Sequence, residues 1–275
     1  MLNLKNVYII SKGNRESYFV VSRIEEFLKN FDINVYTYFD KNDLDFFSNI
    51  DLVMAVGGDG TLLKAFRYTR NNTNLLYVGI NTGSLGMLQN VREDQLGTFL
   101  QSLINGSNLK VKETNILEMI VTFKNQKVLK RFALNEIVIR GNTISMDLYS
   151  NDVSIVGNNF KASGVIFSTS TGSTGYLKSE NGPILMEDIP YVIQKFLAPI
   201  RNKITGDFID APTVSKKYKI CNLKGKFDLL VDDALVSIVD EIESIEFKIS
   251  EKPIKLLIYN DLKKEELIRT KILDV

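Results

Sequence analysis

The sequence predicts an α/β lobe followed by an all-β lobe, and two observations support this fold class. Over residues 1–105, short apolar runs alternate with helical patterns, an order typical of an open, Rossmann-like parallel sheet with right-handed crossovers. Over residues 106–254, the apolar runs are short, β-branched and separated by Asn, Asp or Gly turns, which indicates antiparallel strands. We therefore expect a sandwich-like β lobe after residue 105.

Chain length and composition support two lobes. The 275 residues exceed the roughly 250 that a single hydrophobic core usually serves. Hydrophobic residues make up 44% of the chain, enough to fill two cores. The amphipathic stretch at 262–272 suggests that residues 255–275 return to complete the first lobe.

The elements follow in order from hydrophobic periodicity and turn residues. The first lobe has expected strands at 6–10, 33–38, 51–56 and 75–80, and a helix beginning near Thr61. An earlier helix is expected to bury one face, formed by Phe19, Val20, Ile24, Phe27 and Leu28. In the second lobe, one helix is expected at 187–197, and strands are expected at 110–113, 116–123, 127–134, 136–140, 146–150, 153–156, 165–168, 217–221, 227–231 and 244–249.

Composition excludes several classes of chemistry. The chain has no His, and its one Cys, Cys221, is interpreted as a core residue. A disulfide framework, a Cys/His zinc site, a Ser-His-Asp triad and a phosphohistidine mechanism are therefore excluded. Chemistry must depend on carboxylates, backbone amides and a metal that enters with a substrate.

Charge and hydropathy limit the partners. The formal net charge is +1, from 34 basic and 33 acidic residues, so no global field recruits nucleic acid or an anionic membrane. No apolar run reaches the ~18 residues that a membrane span needs. We expect a cytoplasmic protein with small-molecule substrates.

The stretch that organises the chain is Val53-Met54-Ala55-Val56-Gly57-Gly58-Asp59-Gly60-Thr61. It predicts a buried strand that ends in a tight turn before a helix. Glycines let phosphate or ribose approach the main-chain N–H groups. Asp59 is suited to accept a proton from a sugar hydroxyl. The alternative is that Asp59 only caps the helix.

Three further clusters strengthen the first. The glycine cluster 79–88 lies at the end of the next strand and is expected to face the first turn with more N–H groups and hydroxyls for phosphates. Asn135-Glu136 pairs an amide with an ionised acid that only accepts, which suits recognition of a base edge and a ribose. The hydroxyl-rich stretch 167–179 predicts a multi-donor cradle, with Tyr176 as an aromatic face for a base or nicotinamide.

These four pieces, in this order and spacing, resemble the NAD kinase family. The family pattern is a Gly-Gly-Asp-Gly-Thr turn, an Asn-Thr-Gly-x-Leu-Gly-Phe-Leu turn, an Asn-Glu pair and a Thr-Pro-Thr-Gly-Ser-Thr-Ala-Tyr loop. The matching segments here are 57–61, 81–88, 135–136 and 169–176, followed by Ser179 and Gly182-Pro183. The resemblance runs from about residue 7 to residue 273.

The resemblance implies transfer of the γ-phosphoryl group of ATP to the 2′-hydroxyl of the adenosine ribose of NAD. It implies Mg²⁺ or another divalent cation entering with ATP, no protein metal site, an NAD site between the two lobes, and a homotetramer or homodimer. Asp59 would be catalytic. The two glycine-rich turns themselves predict phosphate binding by Gly57, Gly58, Thr61, Asn81, Gly83 and Ser84. The resemblance assigns substrate binding to Gly60, Asn135, Glu136, Lys161, Ser163, Thr174, Gly175, Tyr176, Ser179 and Ala198.

Several positions depart from the family pattern. Ser163 replaces an Asp that contacts the nicotinamide end, and Gly175 and Ser170 replace Ala and Pro. Near Asp233 the family often has Asp-Gly-Gln. Two alternatives stay open: a lipid kinase that shares the first motif, and a non-catalytic nucleotide-binding regulator.

Overall fold

A computed structural model of the chain describes residues 4–37, 45–83, 86–200 and 211–259. Within these ranges, none of the helices combines the length and apolar character needed to cross a membrane. The chain divides into two compact units. Unit 1 comprises residues 1–114 and 253–275, and unit 2 comprises residues 115–252.

The helices and strands of the described chain follow in order. Unit 1 contains β1 (Asn6–Ser11), α1 (Arg15–Lys29), β2 (Asn34–Tyr36), β3 (Leu52–Gly57), α2 (Asp59–Tyr68), β4 (Leu76–Asn81), β5 (Val91–Arg92), α3 (Leu96–Asn105) and β6 (Leu109–Thr114). Unit 2 contains β7 (Leu117–Phe123), β8 (Val128–Ala133), β9 (Glu136–Ser150), β10 (Val153–Ser168), α4 (Tyr176–Ser179), β11 (Val192–Pro199), β12 (Thr213–Ser215), β13 (Lys217–Lys224), β14 (Asp228–Val231), β15 (Ala234–Val236) and β16 (Ile242–Ile249). The last described strand, β17 (Ile254–Tyr259), belongs to unit 1.

Unit 1 is built on a mostly parallel sheet. In the described residues its strand order is β2-β1-β3-β4-β17-β6, with β5 beside β4. Strands β1, β3 and β4 are parallel neighbours, and every residue of β3 and β4 is buried. Their carboxyl ends therefore meet at one edge of the sheet, where open α/β sheets bind ligands. The predicted α/β lobe is confirmed.

Helix α1 packs one face on this sheet. Asn14 caps its first turn, and the apolar residues Val20, Ile24 and Leu28 are buried at the expected spacing. Phe19 was predicted to belong to the same face but is 60% exposed. Phe19 precedes Val20 in the sequence and lies about 100° from it around the helix, so both cannot point at the sheet equally.

Unit 2 is an antiparallel sheet of ten described strands. The main order is β12-β11-β10-β9-β13-β16-β7-β8, and the hairpin β14-β15 pairs with β9. Its core includes the stacked rings of Phe167 and Phe247, whose centroids are 3.7 Å apart, with buried Tyr218 beside Phe167. The predicted all-β lobe is confirmed.

Two pairs of predicted strands are in fact two long strands. The strands expected at 136–140 and 146–150 are both parts of β9, and those expected at 153–156 and 165–168 are both parts of β10. Register shifts in the β9-β10 pairing absorb the intervening residues. Gly141 and Gly164 mark close backbone approaches within the sheet, where the sequence pattern had indicated turns.

The helix predicted at 187–197 is wrong, because this segment contains strand β11. Val192 and Phe196 enter the main core of unit 2, whereas Ile193 and Leu197 pack in a second cluster. Both faces of the strand are thus buried. An apolar residue repeated at i and i+4 fits a strand as well as a helix. Pro190, inside the predicted helix, and Pro199, the last residue of β11, both disfavour a helix.

One strand joins a different sheet from the one expected. The strand predicted at 110–113 in the β lobe is β6, which pairs antiparallel with β17 in the sheet of unit 1. Strand β17 also pairs parallel with β4. Local sequence does not identify the partner of a strand, which here is about 145 residues away along the chain. The amphipathic stretch at 262–272 lies outside the described residues.

The close approach at Gly164 makes a stability prediction. An added Cβ there would lie 2.5 Å from the Ile139 carbonyl oxygen and 3.1 Å from Arg140 Cα, so β9 would have to shift. We expect Gly164→Ala to lower the free energy of unfolding by ~1–3 kcal/mol. The matched control is Gly97→Ala in α3, where a Cβ meets nothing within 4 Å. Gly97→Ala should raise the free energy of unfolding by ~0.5–1 kcal/mol. Urea unfolding followed by circular dichroism measures both, and equal effects would contradict the assigned contacts.

Candidate active site

The turn between β3 and α2 places Asp59 at the first residue of the helix. Gly58 is the N-cap residue, and no side chain caps the helix start. The alternative in which Asp59 only caps the helix is therefore wrong. Gly57 is required by packing, since an added Cβ would lie 2.2 Å from the Thr61 hydroxyl oxygen. At Gly58 and Gly60 a Cβ would meet nothing within 4 Å, so open space adjoins the main chain there.

Asp59 links this turn to the second glycine-rich turn. Its Oδ2 accepts a hydrogen bond from Met87 N at 2.7 Å, and its Oδ1 accepts one from Leu88 N at 2.9 Å. An added Cβ at Gly86 would lie 1.9 Å from Asp59 Oδ1, so only glycine permits this approach. Gln89 Nε2 donates to Gly58 O at 2.9 Å and adds a second link.

The strand register brings the start of the second turn to the same sheet edge. Gly57 and Asn81 are partners in the parallel pairing of β3 and β4. The buried Asn81 side chain accepts from Gly83 N at 3.0 Å and donates to Gly83 O at 3.1 Å. Its amide is thus used to shape the turn. Ser84, a predicted phosphate ligand, lies outside the described residues.

Unit 2 carries a separate group of site residues at the start of β9. The Asp232 carboxylate accepts three main-chain hydrogen bonds there, from Leu134 N at 2.7 Å, Asn135 N at 2.8 Å and Glu136 N at 3.2 Å. Asp232 N in turn donates to Glu136 O at 3.0 Å. Sequence reasoning did not assign Asp232 to the site.

A signal for Asp232 was present in the sequence. Asp232 and Asp233 have φ angles of 45° and 62°, and they form the two-residue turn between β14 and β15. Hairpins with such turns favour Asn, Asp and Gly at both positions. Two acids between apolar runs therefore predict a tight turn, which brings the first carboxylate back to the sheet.

Glu136 is buried beside this turn. Burial, followed by the charges of Asp232 and Asp233, raises the pKa of its carboxyl group to about 8. The expectation of an ionised Glu that only accepts is therefore wrong at neutral pH. A protonated carboxyl group can donate one hydrogen bond and still accept others.

Two buried polar atoms at this position lack a partner among the described residues. They are Asn135 Oδ1 and Glu136 Oε2. Buried polar groups are nearly always hydrogen-bonded, so each orphan calls for an explanation. At Gly175, a Cβ would lie 3.2 Å from Glu136 Oε2 and 3.7 Å from Asn135 Nδ2. The backbone of the third loop thus borders both side chains.

The hydroxyl-rich loop has a different use from the one expected. Four of its hydroxyl side chains are buried and bonded within the protein, which contradicts their predicted role as a ligand cradle. Thr169 Oγ1 donates to Leu134 O at 2.7 Å, and Ser173 Oγ donates to Ser170 O at 2.8 Å. The two others are Ser168 and Ser170. Enclosed hydroxyls satisfy the backbone of a tight loop, because that backbone has no access to water.

The remaining residues of the predicted site lie along the same unit. Thr174, Gly175 and Tyr176 are half-buried, and Ser179 is exposed at the end of α4. Lys161 is exposed on β10. Ser163 Oγ donates to Asn142 O at 3.3 Å. Ala198 is exposed on β11, with a φ of 41°.

The spacing of these groups along β9 is long. On the paired strand β10, Ser163 is five residues from Ser168, the partner of Glu136, and five residues of strand span about 17 Å. Asp152 and Asp232, two acids of unit 2 that could replace the carboxylate absent at Ser163, make other contacts. Asp152 lies in the turn between β9 and β10, 4.0 Å from Lys217 Nζ, and Asp232 holds the start of β9.

Comparisons with known proteins agree with these motifs. The family model for the ATP-NAD kinase N-terminal domain matches residues 44–108. A NAD kinase of Leuconostoc mesenteroides is 31% identical over 226 residues, covering 80% of this chain and 84% of that protein. A NAD kinase of Clostridium beijerinckii is 28% identical over 264 residues, covering 95% of this chain and 91% of that protein.

Two solved structures share the fold. Yeast NADH kinase complexed with NADH has a TM-score of 0.80 at 20% identity, with coverage of 98% of this chain and 88% of that one. An NAD kinase from Archaeoglobus fulgidus in complex with ATP has a TM-score of 0.72 at 23% identity, with coverage of 98% and 99%. Given the extent and level of identity with the Leuconostoc protein, together with the four motifs, this chain belongs to the NAD kinase family.

Proposed function

We propose that the chain transfers the γ-phosphoryl group of ATP to the 2′-hydroxyl of the adenosine ribose of NAD, forming NADP and ADP. The observation that carries the proposal is the Asp59 carboxylate at the start of α2, between two glycine-rich turns. Membership of the NAD kinase family supports the same reaction.

Asp59 is the proposed proton acceptor. Each of its oxygens accepts one main-chain N–H, and each has a further lone pair that can accept from a substrate hydroxyl. The two N–H bonds also fix the direction of the carboxylate before substrate arrives. In the proposed step the 2′-oxygen forms a bond to the γ-phosphorus, the bond to the β,γ-bridging oxygen breaks, and the hydroxyl proton moves to Asp59.

The glycine-rich turns are the proposed phosphate site. Open space adjoins the main chain at Gly58 and Gly60, and the positive end of the α2 dipole points toward it. We assign phosphate contacts to this turn and to the turn at Asn81 and Gly83, with Ser84 retained from the sequence. Gly57 and Thr61 pack against each other and support the turn.

NAD is proposed to lie along unit 2. The unpartnered atoms of Asn135 and Glu136 would meet the adenosine, with Thr174, Gly175, Tyr176 and Ser179 beside it. The separation of about 17 Å between Glu136 and Ser163 then suits contact of Lys161, Ser163 and Ala198 with the nicotinamide half. A serine hydroxyl supplies a neutral contact where the family pattern has a carboxylate.

A divalent cation, Mg²⁺ or a substitute, is proposed to enter with ATP. Among the described residues, no three acids, cysteines or histidines form a group able to hold a metal ion. The phosphate oxygens of ATP would bind this cation, and the charge of the cation would offset that of the transferring group. We also propose a homotetramer or homodimer in the cytoplasm. Light scattering tests the assembly, and a fully active monomer would contradict it.

The reaction has a direct test. Purified chain, NAD, MgATP and an NADP-specific dehydrogenase should together give an NADPH signal that depends on all four. Omission of ATP or of the divalent cation serves as the control. If the protein binds NAD but forms no NADP, the result would contradict the proposed kinase activity and support the non-catalytic regulator.

Replacing Asp59 tests its role. Asp59→Asn removes basicity and should lower kcat by about 10²–10⁴-fold, with NAD affinity little changed. Asp51→Asn is the matched control, because Asp51 Oδ2 likewise accepts two main-chain N–H groups, from Lys5 and Asn6, at the opposite end of β3. The control should lose comparable stability and retain turnover. If Asp59→Asn kept the kcat of the wild type, Asp59 would not be the proton acceptor.

The protonation of Glu136 predicts a pH dependence. Its pKa is about 8 in the folded protein against an ordinary value of 4.5. Between these values the folded chain keeps a proton that the unfolded chain has lost. Stability from this group therefore falls as pH rises from 4.5 to about 8 and is constant above that.

Glu136→Gln removes the titration and supplies the test. Relative to this variant, the wild-type free energy of unfolding should fall by on the order of 4 kcal/mol between pH 5 and pH 9. The wild-type KM for NAD should also rise above pH 8, while the KM of the variant stays flat. Denaturant unfolding and initial rates at several pH values check both. Parallel curves for the two proteins would show that Glu136 ionises normally.

A further inference from the structure

Unit 1 contains a cavity that the assignments above do not use. It has a volume of about 450 Å³ and is bordered by β1, α1 and α2. Its wall includes Tyr18, Ser22 and Glu25 from α1, and Lys64 and Tyr68 from α2. Tyr18 is 58% exposed and Tyr68 43% exposed. Two tyrosine rings thus line a space large enough for a nucleoside.

The cavity adjoins the glycine-rich turn that carries Asp59. Ser11 and Gly13, at the end of β1, also line it. Between them, Lys12 N donates to Val56 O at 2.9 Å, and a Cβ placed on Gly57 would lie 3.0 Å from Lys12 Cβ. The loop that borders the cavity is therefore in contact with the first residue of the turn.

Helix α2 connects the two places along one face. Gly60, Lys64 and Tyr68 follow at four-residue intervals, so they form one row on the helix. Leu62 and Phe66 are buried on the opposite side of α2, and Thr61 and Ala65 are buried between that side and the row. Eight residues of helix span about 12 Å, a length that a triphosphate and a ribose can bridge. Lys64 is the middle residue of this row, and its Nζ lies 5.3 Å from the centroid of the Tyr68 ring.

The side chains in the wall match an adenine nucleotide. Aromatic rings stack on nucleobases, and the ammonium group of Lys64 can meet a phosphate or ribose oxygen. The carboxylate of Glu25 can accept from the exocyclic amino group of adenine. Guanine carries a carbonyl oxygen at that ring position, which would face the carboxylate oxygen without a proton between them.

We propose that this cavity holds the adenosine of the donor ATP, with its phosphates following the exposed row of α2 to the Gly58–Gly60 turn. The inference rests on the proposed function for the identity of the donor. Tyr68 and Tyr18 stack on the base, Glu25 selects adenine, and Lys64 meets the phosphate chain. The acceptor NAD remains assigned to unit 2.

The first experiment truncates the stacking ring. Tyr68→Ala should raise KM for ATP roughly 10- to 100-fold, the range expected for loss of one base–aromatic stack. KM for NAD should change less than twofold. Tyr68→Phe keeps the ring and should behave as wild type. Phe19→Ala, at an exposed aromatic residue of α1 outside the cavity wall, should leave both constants unchanged.

The second experiment addresses base selection. Glu25→Gln should reduce the preference for ATP over GTP, because a side-chain amide can donate to the guanine carbonyl. Glu26→Gln is the matched control, since Glu26 is the exposed neighbour and does not line the cavity. An unchanged preference in Glu25→Gln would overturn the assignment of Glu25.

Calorimetry separates this inference from the proposed reaction. Binding of the Mg²⁺ complex of a non-hydrolysable ATP analogue needs no turnover. Weaker binding by Tyr68→Ala and normal binding by Tyr68→Phe would support the cavity, even if NAD were not phosphorylated. Equal binding by all three proteins, or a rise in KM for NAD alone, would show that the donor base binds elsewhere. Thermal melting of each variant confirms that it is folded.

Discussion

The two hydrogen bonds that Asp59 accepts from Met87 N and Leu88 N are the constraint on which the active edge of unit 1 depends. Charge-assisted bonds of this kind contribute about 1.5–3 kcal/mol each, enough to hold one turn against another. They join residues 28 and 29 positions apart in the chain. The carboxylate proposed for chemistry is thus also the group that shapes its own surroundings.

Unit 2 uses an acid in a similar structural way. Asp232 accepts three main-chain N–H groups and so positions Asn135 and Glu136 at the start of β9. The charge that holds this backbone also opposes ionisation of Glu136. Glu136 stays protonated chiefly because it is buried, and the charges of Asp232 and Asp233 add to that effect. The protonated Glu136 carboxyl group is uncharged and can still donate a hydrogen bond to a ligand.

Glycine has two separable uses in this chain. At Gly57, Gly86 and Gly172, a Cβ would meet protein atoms at 2.2 Å or less, so packing alone requires glycine. At Gly58 and Gly60, a Cβ would meet nothing, and packing gives no reason for glycine. Those two positions are the ones that border the proposed path of the phosphates. A ligand that approaches the main chain closely supplies the missing reason.

The sequence by itself determined the fold class, the family and the order of the motifs. Alternation of apolar runs identified β1, β3 and β4, and the glycine-rich turn after β3 located Asp59. These features are local, since periodicity and turn chemistry are written in neighbouring residues. Local pattern could not separate the strand β11 from a helix, because both of its faces are buried. Only the tertiary structure decided that β6 pairs with β17, that Asp232 holds Asn135, that the hydroxyls of the third loop face inward, and that Glu136 keeps its proton. Each of these depends on groups distant in the chain that meet in a low-dielectric interior, where pairing and desolvation set the outcome.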